Sequence, residues 1–206
     1  MGQKMGQVVY KHIEEHLSLY LFNMVLFVMG IIFGTLTIYS LGYAQQHDLY
    51  TYFQQFLDQF TKATVAPSEI FSHHLGQDLK YVGIIWLLGL SIIGLPIILV
   101  MIFLKGVFVG FSVGFLVHQM GWRGFWLSLV SIIPQNMVMV PVILVISVAS
   151  ITFSLRLAAY LFSSSRSYRK ISLGRYIGLF VLASFALVVV ALFQSYLSPF
   201  LMSKVL

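Results

Sequence analysis

Residues 16–47 read HLSLYLFNMVLFVMGIIFGTLTIYSLGYAQQH, 32 consecutive residues between Glu15 and Asp48 without a formal charge. A helix needs only about 20 apolar residues to cross the hydrocarbon of a bilayer. The apolar part, 17–41, exceeds the 7–15-residue core of a signal peptide, and no clear small-x-small cleavage site follows it. The stretch reads as an uncleaved first transmembrane span.

The same pattern recurs along the chain. Charge-free runs of 24, 17, 32 and 28 residues lie between Lys80 and Lys105, Lys105 and Arg123, Arg123 and Arg156, and Arg175 and Lys204. Together the five runs hold 133 of 206 residues, and only 18 residues are charged. Mean hydropathy is +0.93. A soluble domain of this length still exposes roughly 30% of its unfolded surface, and this sequence has too few charges to cover it. A soluble enzyme, a nucleic-acid-binding domain and a disordered tail are excluded. The expected fold class is an all-α polytopic membrane protein. With no cysteine there is neither a disulfide nor a thiolate metal site.

The spans are expected at about 17–41, 81–104, 106–120, 126–155 and 176–197, with Pro96 kinking the second. The fourth should break near Pro134. Residues 42–80 form an outer loop and 156–175 a basic cytoplasmic loop. Five spans with the N-terminus cytoplasmic and the C-terminus extracytoplasmic place eight Lys/Arg inside and four outside. A re-entrant 106–120 would reverse the bias to five inside and seven outside, so the positive-inside rule favours five spans.

Within the outer loop, Leu49, Tyr52, Phe53, Phe56, Leu57 and Phe60 share one helical face, with Gln54, Gln55, Asp58 and Gln59 opposite. This predicts an amphipathic helix over 48–61. Its aromatic face has almost no basic residues, which suits a protein partner or the tops of the spans themselves at least as well as lipid. Tyr52, Phe53, Phe56 and Phe60 are the candidate partner-binding residues. A second short helix starts at Pro67-Ser68 and runs toward His74.

Gly106, Gly110 and Gly114 form G-x-x-x-G-x-x-x-G, which allows close helix approach within the chain or in a homodimer. Pro134, Gln135 and Asn136 place two amides at a helix break, either as backbone partners or as a transport site. No acid is expected inside a span, which speaks against ion-coupled transport. Arg166, Arg169, Lys170 and Arg175 determine topology and secondarily bind anionic lipid. His12-Ile13-Glu14-Glu15-His16 matches an inverted zinc-protease pattern, but it reads better as a charged juxtamembrane helix. Adjacent His73 and His74 point apart and read as a surface turn. No catalytic, metal or cofactor site is expected.

Three stretches resemble one family. They are Val9 to Gly34, Leu88 to Val117 (LGLSIIGLPIILVMIFLKGVFVGFSVGFLV) and Pro134-Gln135-Asn136. With the length and span layout they look like the stage II sporulation protein M family of endospore-forming bacteria. The block from Gly94 to Val117 is the most specific part. The resemblance implies a non-enzymatic scaffold of the engulfment machinery in the mother-cell membrane at the sporulation septum. It would recruit two peptidoglycan-degrading enzymes, stage II sporulation protein P (amidase and endopeptidase) and stage II sporulation protein D (lytic transglycosylase). It implies no catalytic residues, no cofactor and no nucleic-acid partner. Besides lipid, the expected partners include a second copy of the chain. The competing reading is the membrane subunit of a transporter that works with a separate ATPase.

Overall fold

The computed structural model describes residues 16–62, 67–162 and 173–202. Six helices account for nearly all of them: α1 (Leu17–Ser40), α2 (Tyr43–Lys62), α3 (Pro67–Gly89), α4 (Gly94–Ser131), α5 (Ile133–Phe162) and α6 (Leu173–Met202). Three are long and apolar enough to cross a membrane by length and composition, within α1, α4 and α5, and α6 contributes a shorter apolar stretch. The fold is all-α and polytopic.

The surface is apolar and the interior is mixed. Leu21, Phe22, Met29, Ile32, Phe33 and Leu36 of α1 are exposed, whereas Asn23 is fully buried. Buried among helices are also Ser128, Ser147, Ser150, Thr152 and Ser154. In lipid, apolar burial between helices brings little, so close packing and interhelical hydrogen bonds must hold the bundle.

Both devices are visible. α1 and α4 run parallel in near-backbone contact. A Cβ on Gly30 would collide with the Phe103 carbonyl oxygen, one on Gly34 with that of Val107, and one on Gly106 with that of Phe27. Thr35 Oγ1 shares its proton between the Ile31 carbonyl of its own helix at 2.9 Å and the Gly110 carbonyl across the seam at 3.1 Å. Asn23 Nδ2 donates to Ser147 Oγ at 3.2 Å, joining α1 to α5. Tyr176 OH of α6 donates to the Trp86 carbonyl of α3 at 2.6 Å and lies 2.9 Å from Ser150 Oγ of α5. Ser147, Ser150 and Ser154 recur at i, i+3 and i+7, so one face of α5 serves three neighbours.

The contacts also fix direction. α3 and α4 form an antiparallel hairpin, in which Tyr81 OH donates to the Met101 carbonyl at 2.6 Å. α5 runs against α1, since His16 Nε2 lies 3.5 Å from Arg156 Nη2 while Asn23 meets Ser147. α6 runs against α3, with Tyr176 reaching Gly89 at the end of α3 and Phe180, one turn later, on Trp86. Thus α1, α4 and α6 point one way and α3 and α5 the other.

The helix boundaries differ from expectation in two places. The predicted span 81–104 is divided at 90–93, and 106–120 belongs to the same helix as 94–105. Pro96 does not kink a helix; it is the third residue of α4, where its missing N–H is not needed. Gly94 makes the sharp turn possible, because a Cβ there would strike the Leu88 carbonyl. Lys105 therefore does not end a span. Asp78 and Lys80 leave the outer loop and join α3, which runs through His73 and His74 to Gly89 instead of ending near them.

The second difference concerns the fourth span. A sharp break lies at Gly121, with φ 56° and ψ −129°, in addition to the boundary at Ile132 between α4 and α5, two residues before Pro134. Only glycine tolerates that backbone cheaply. Hydrogen bonds span that boundary, from Ile132 N–H to Ser128 O at 2.8 Å and from Asn136 N–H to Ile132 O at 3.1 Å. Pro134 is the second residue of α5, a position that accepts proline.

Candidate functional site: the capped end of the bundle and the charged pair beneath it

At the end of the bundle where α1 finishes, α2 is fastened across the helix tops. Gln46 Nε2 donates to the Ile38 and Leu41 carbonyls, each at 3.2 Å, adding to the Leu41 N–H bond that already closes α1 on Ile38. Further along α2, the Phe53 ring meets Phe115 of α4 edge-on, with centroids 5.8 Å apart and an interplanar angle of 81°. Tyr39 and His118 make a similar T-shaped contact at 5.4 Å. The predicted aromatic face is thereby divided. Phe53 is half-buried against the bundle, whereas Tyr52 is 71% exposed. Phe56 and Phe60 lie in α2, with side chains outside the described residues.

Past Gly121 the chain folds back, and a Cβ on Gly124 would strike the Leu116 carbonyl. Trp122 stacks on Phe125 at 5.3 Å and meets Trp126 edge-on at 6.3 Å. All three are exposed beside Arg123. Trp at a helix end beside a basic residue is the pattern of a bilayer interface.

Beneath this end lies a feature that sequence reasoning missed. Asp78 of α3 is 6% exposed, and its charge acts on the Lys105 ammonium of α4. That ammonium also sits 5.7 Å from the centroid of the Tyr81 ring. Lys105 is near the middle of the stretch between Gly94 and Gly121, so the pair lies at mid-depth of the bundle. The candidate spans within α1, α4, α5 and α6 hold no acid, but Asp78 of α3 lies beside them at the level of Lys105. The signal was available: Leu75, Leu79, Val82 and Ile85 continue an apolar helical stripe back past Lys80 and Asp78.

The remaining predicted residues fall as follows. Gly106, Gly110 and Gly114 face α1, where Cβ atoms would meet Phe27, Ile31 and Thr35, so the row is used within the chain. Asn136 Nδ2 donates to the Ile132 carbonyl at 2.8 Å, a backbone-satisfying role. Pro134 and Gln135 lie in the first turn of α5, and Arg175 in that of α6, with side chains outside the described residues. Arg166, Arg169, Lys170 and His12 lie outside them altogether.

The family described as stage II sporulation protein M (SpoIIM) matches residues 23–199. The chain belongs to this family. Comparison with curated proteins finds no match, and neither does comparison with solved structures. The match to the sporulation family starts at Asn23, the buried residue that ties α1 to α5, and ends at Pro199 in the last turns of α6. It takes in the glycine seam, α2 and the Asp78–Lys105 pair. The His12–His16 pattern lies outside it. The chain is thus a sporulation-related, multi-pass membrane protein.

Proposed function

We propose that this chain is a non-enzymatic scaffold of the engulfment machinery, which recruits and localises peptidoglycan-degrading enzymes at the sporulation septum. Its partners would be stage II sporulation proteins P and D, and its location the mother-cell membrane at the septum and around the forespore. The observation that carries this reading, beside family membership, is the placement of α2. α2 touches the bundle through Gln46 at the end of α1 and Phe53 on Phe115 of α4, and Tyr52 on its flank stays exposed. A braced helix with exposed aromatic side chains is a preorganised docking element, since little ordering remains to be done on binding. Reading the basic stretch 156–175 as cytoplasmic by the positive-inside rule puts α2 on the extracytoplasmic side in this proposal, where the wall lies.

The test is affinity purification of the Tyr52→Ala variant from sporulating cells. Tyr52 is exposed, so the bundle should insert normally while recovery of both wall enzymes falls. Wild-type recovery of both would overturn the assignment of α2. The second reading, a transporter subunit with a separate ATPase, draws support from Asp78, because an intramembrane acid is a frequent transport element. The adjacent Lys105 favours a neutralised structural pair. Co-purification of a nucleotide-binding subunit in the same experiment would instead favour transport.

A further inference from the structure

α3 presents two unlike faces. Leu75, Leu79, Val82 and Ile85 turn toward the bundle core, while Gln77, Lys80, Ile84 and Leu87 are exposed. Lys80 lies between Asp78 and Tyr81, both of which reach the Lys105 region of α4, so it shares their mid-depth. Nine residues separate it from Gly89 and thirteen from Pro67, which amounts to about 13 Å and about 20 Å along the helix. The four-carbon stem of lysine is shorter than either distance, so snorkelling does not bring the ammonium to water. An exposed cation at this depth is costly unless an anionic or hydrogen-bonding group covers it. The face around it has room for that group, because among the described residues no atom lies within 4 Å of a Cβ built at Gly76 or Gly83.

We infer that the outer face of α3 binds a transmembrane helix of another protein that carries an Asp or Glu near its middle, with Lys80 as the recognition residue. Charge complementarity selects this occupant over a second copy. The chain has six acids: Glu14, Glu15, Asp48, Asp58, Glu69 and Asp78. Among the described residues Asp78 is the acid at this depth, and it is buried beneath its own α4. Lipid acyl chains offer no anion there. The inference concerns the membrane-embedded part of the chain and does not depend on what α2 binds.

The full chain would be reconstituted in phosphatidylcholine vesicles with a donor dye on a single cysteine at Tyr43, in the cysteine-free background. The probe is an acceptor-labelled leucine-rich transmembrane peptide of about 22 residues with one central Glu. Matched peptides carry central Leu or Lys. The Glu peptide should associate roughly tenfold more tightly than the Leu peptide, equivalent to about 1.4 kcal/mol. Lys80→Leu should remove that preference, and Lys80→Glu should transfer it to the Lys peptide. Helix content and unfolding midpoint of each variant check that the bundle is intact. Equal association of the Glu and Leu peptides with the wild-type chain, or a preference that survives Lys80→Leu, would overturn the inference. Loss of self-association in Lys80→Leu without any Glu preference would also overturn it and assign the face to a second copy.

Discussion

Replacing Gly110 with alanine tests whether the α1–α4 seam holds the bundle. The new methyl would lie against the Ile31 carbonyl oxygen, and the Ile31 Cα is also inside contact range. Restoring an ordinary contact of 3.4 Å or more requires the helices to part by roughly 1 Å. Such a gap forfeits about a quarter to a half of the dispersion energy along the seam. It also stretches the Thr35–Gly110 hydrogen bond from 3.1 Å to beyond hydrogen-bonding range, a loss of about 0.5–1.5 kcal/mol. Overpacking adds about 1–3 kcal/mol. Against this stands the better helix propensity of alanine, about 1 kcal/mol. The net expectation is a loss of about 2 kcal/mol. Reversible unfolding in bicelles by a denaturing detergent reads the stability, and disulfide trapping of a Tyr39→Cys/His118→Cys pair reads helix separation. Gly178→Ala in α6, where nothing lies within 4 Å of the new Cβ, is the control and should be neutral or slightly stabilising. An unchanged midpoint and trapping rate for Gly110→Ala would refute the seam as the source of stability. An equal loss in Gly178→Ala would show that the effect is not one of approach.

Two further outcomes follow from the interior. Replacing Lys105 with Met should destabilise the bundle by about 3–5 kcal/mol by leaving Asp78 buried without its countercharge. Asp78→Leu/Lys105→Leu should recover most of that, and a double variant no better than the single would show that the pair is not a unit. Tyr176→Phe should cost about 1–2 kcal/mol, because the Trp86 carbonyl loses its donor and Ser150 its neighbour; a neutral effect in the same unfolding assay would refute that role.

Much of the fold could be read from charge spacing, because charge is costly in lipid. That logic worked for Leu17–Ser40, where one charge-free run is one helix. It failed between Lys80 and Lys105, where the run encloses a hairpin turn instead of a span. Opposite charges near each other on neighbouring helices do not have to sit in loops, and no local pattern reveals that Asp78 and Lys105 are neighbours. The glycine row was legible as a close-approach surface, yet its partner was settled only in three dimensions by Gly30 and Gly34 of α1. Phe53 illustrates the limit for the site. Helical periodicity shows which residues share a face, whereas the division between bracing and presentation depends on where Phe115 stands.

The parallel seam of α1 and α4 also has a bearing on biogenesis. The partner of Gly30 is Gly106, about 75 residues further along the chain, and synthesis at about 5–20 residues per second delivers it roughly 4–15 s later. During that interval α1 stands in the bilayer with its two glycines bare to lipid, while α2 and α3 are still being placed. Assembly of the N-terminal helix is thus deferred until α4 emerges. The nascent chain has a waiting state in which a membrane chaperone, or a quality-control protease, could recognise an unfilled groove.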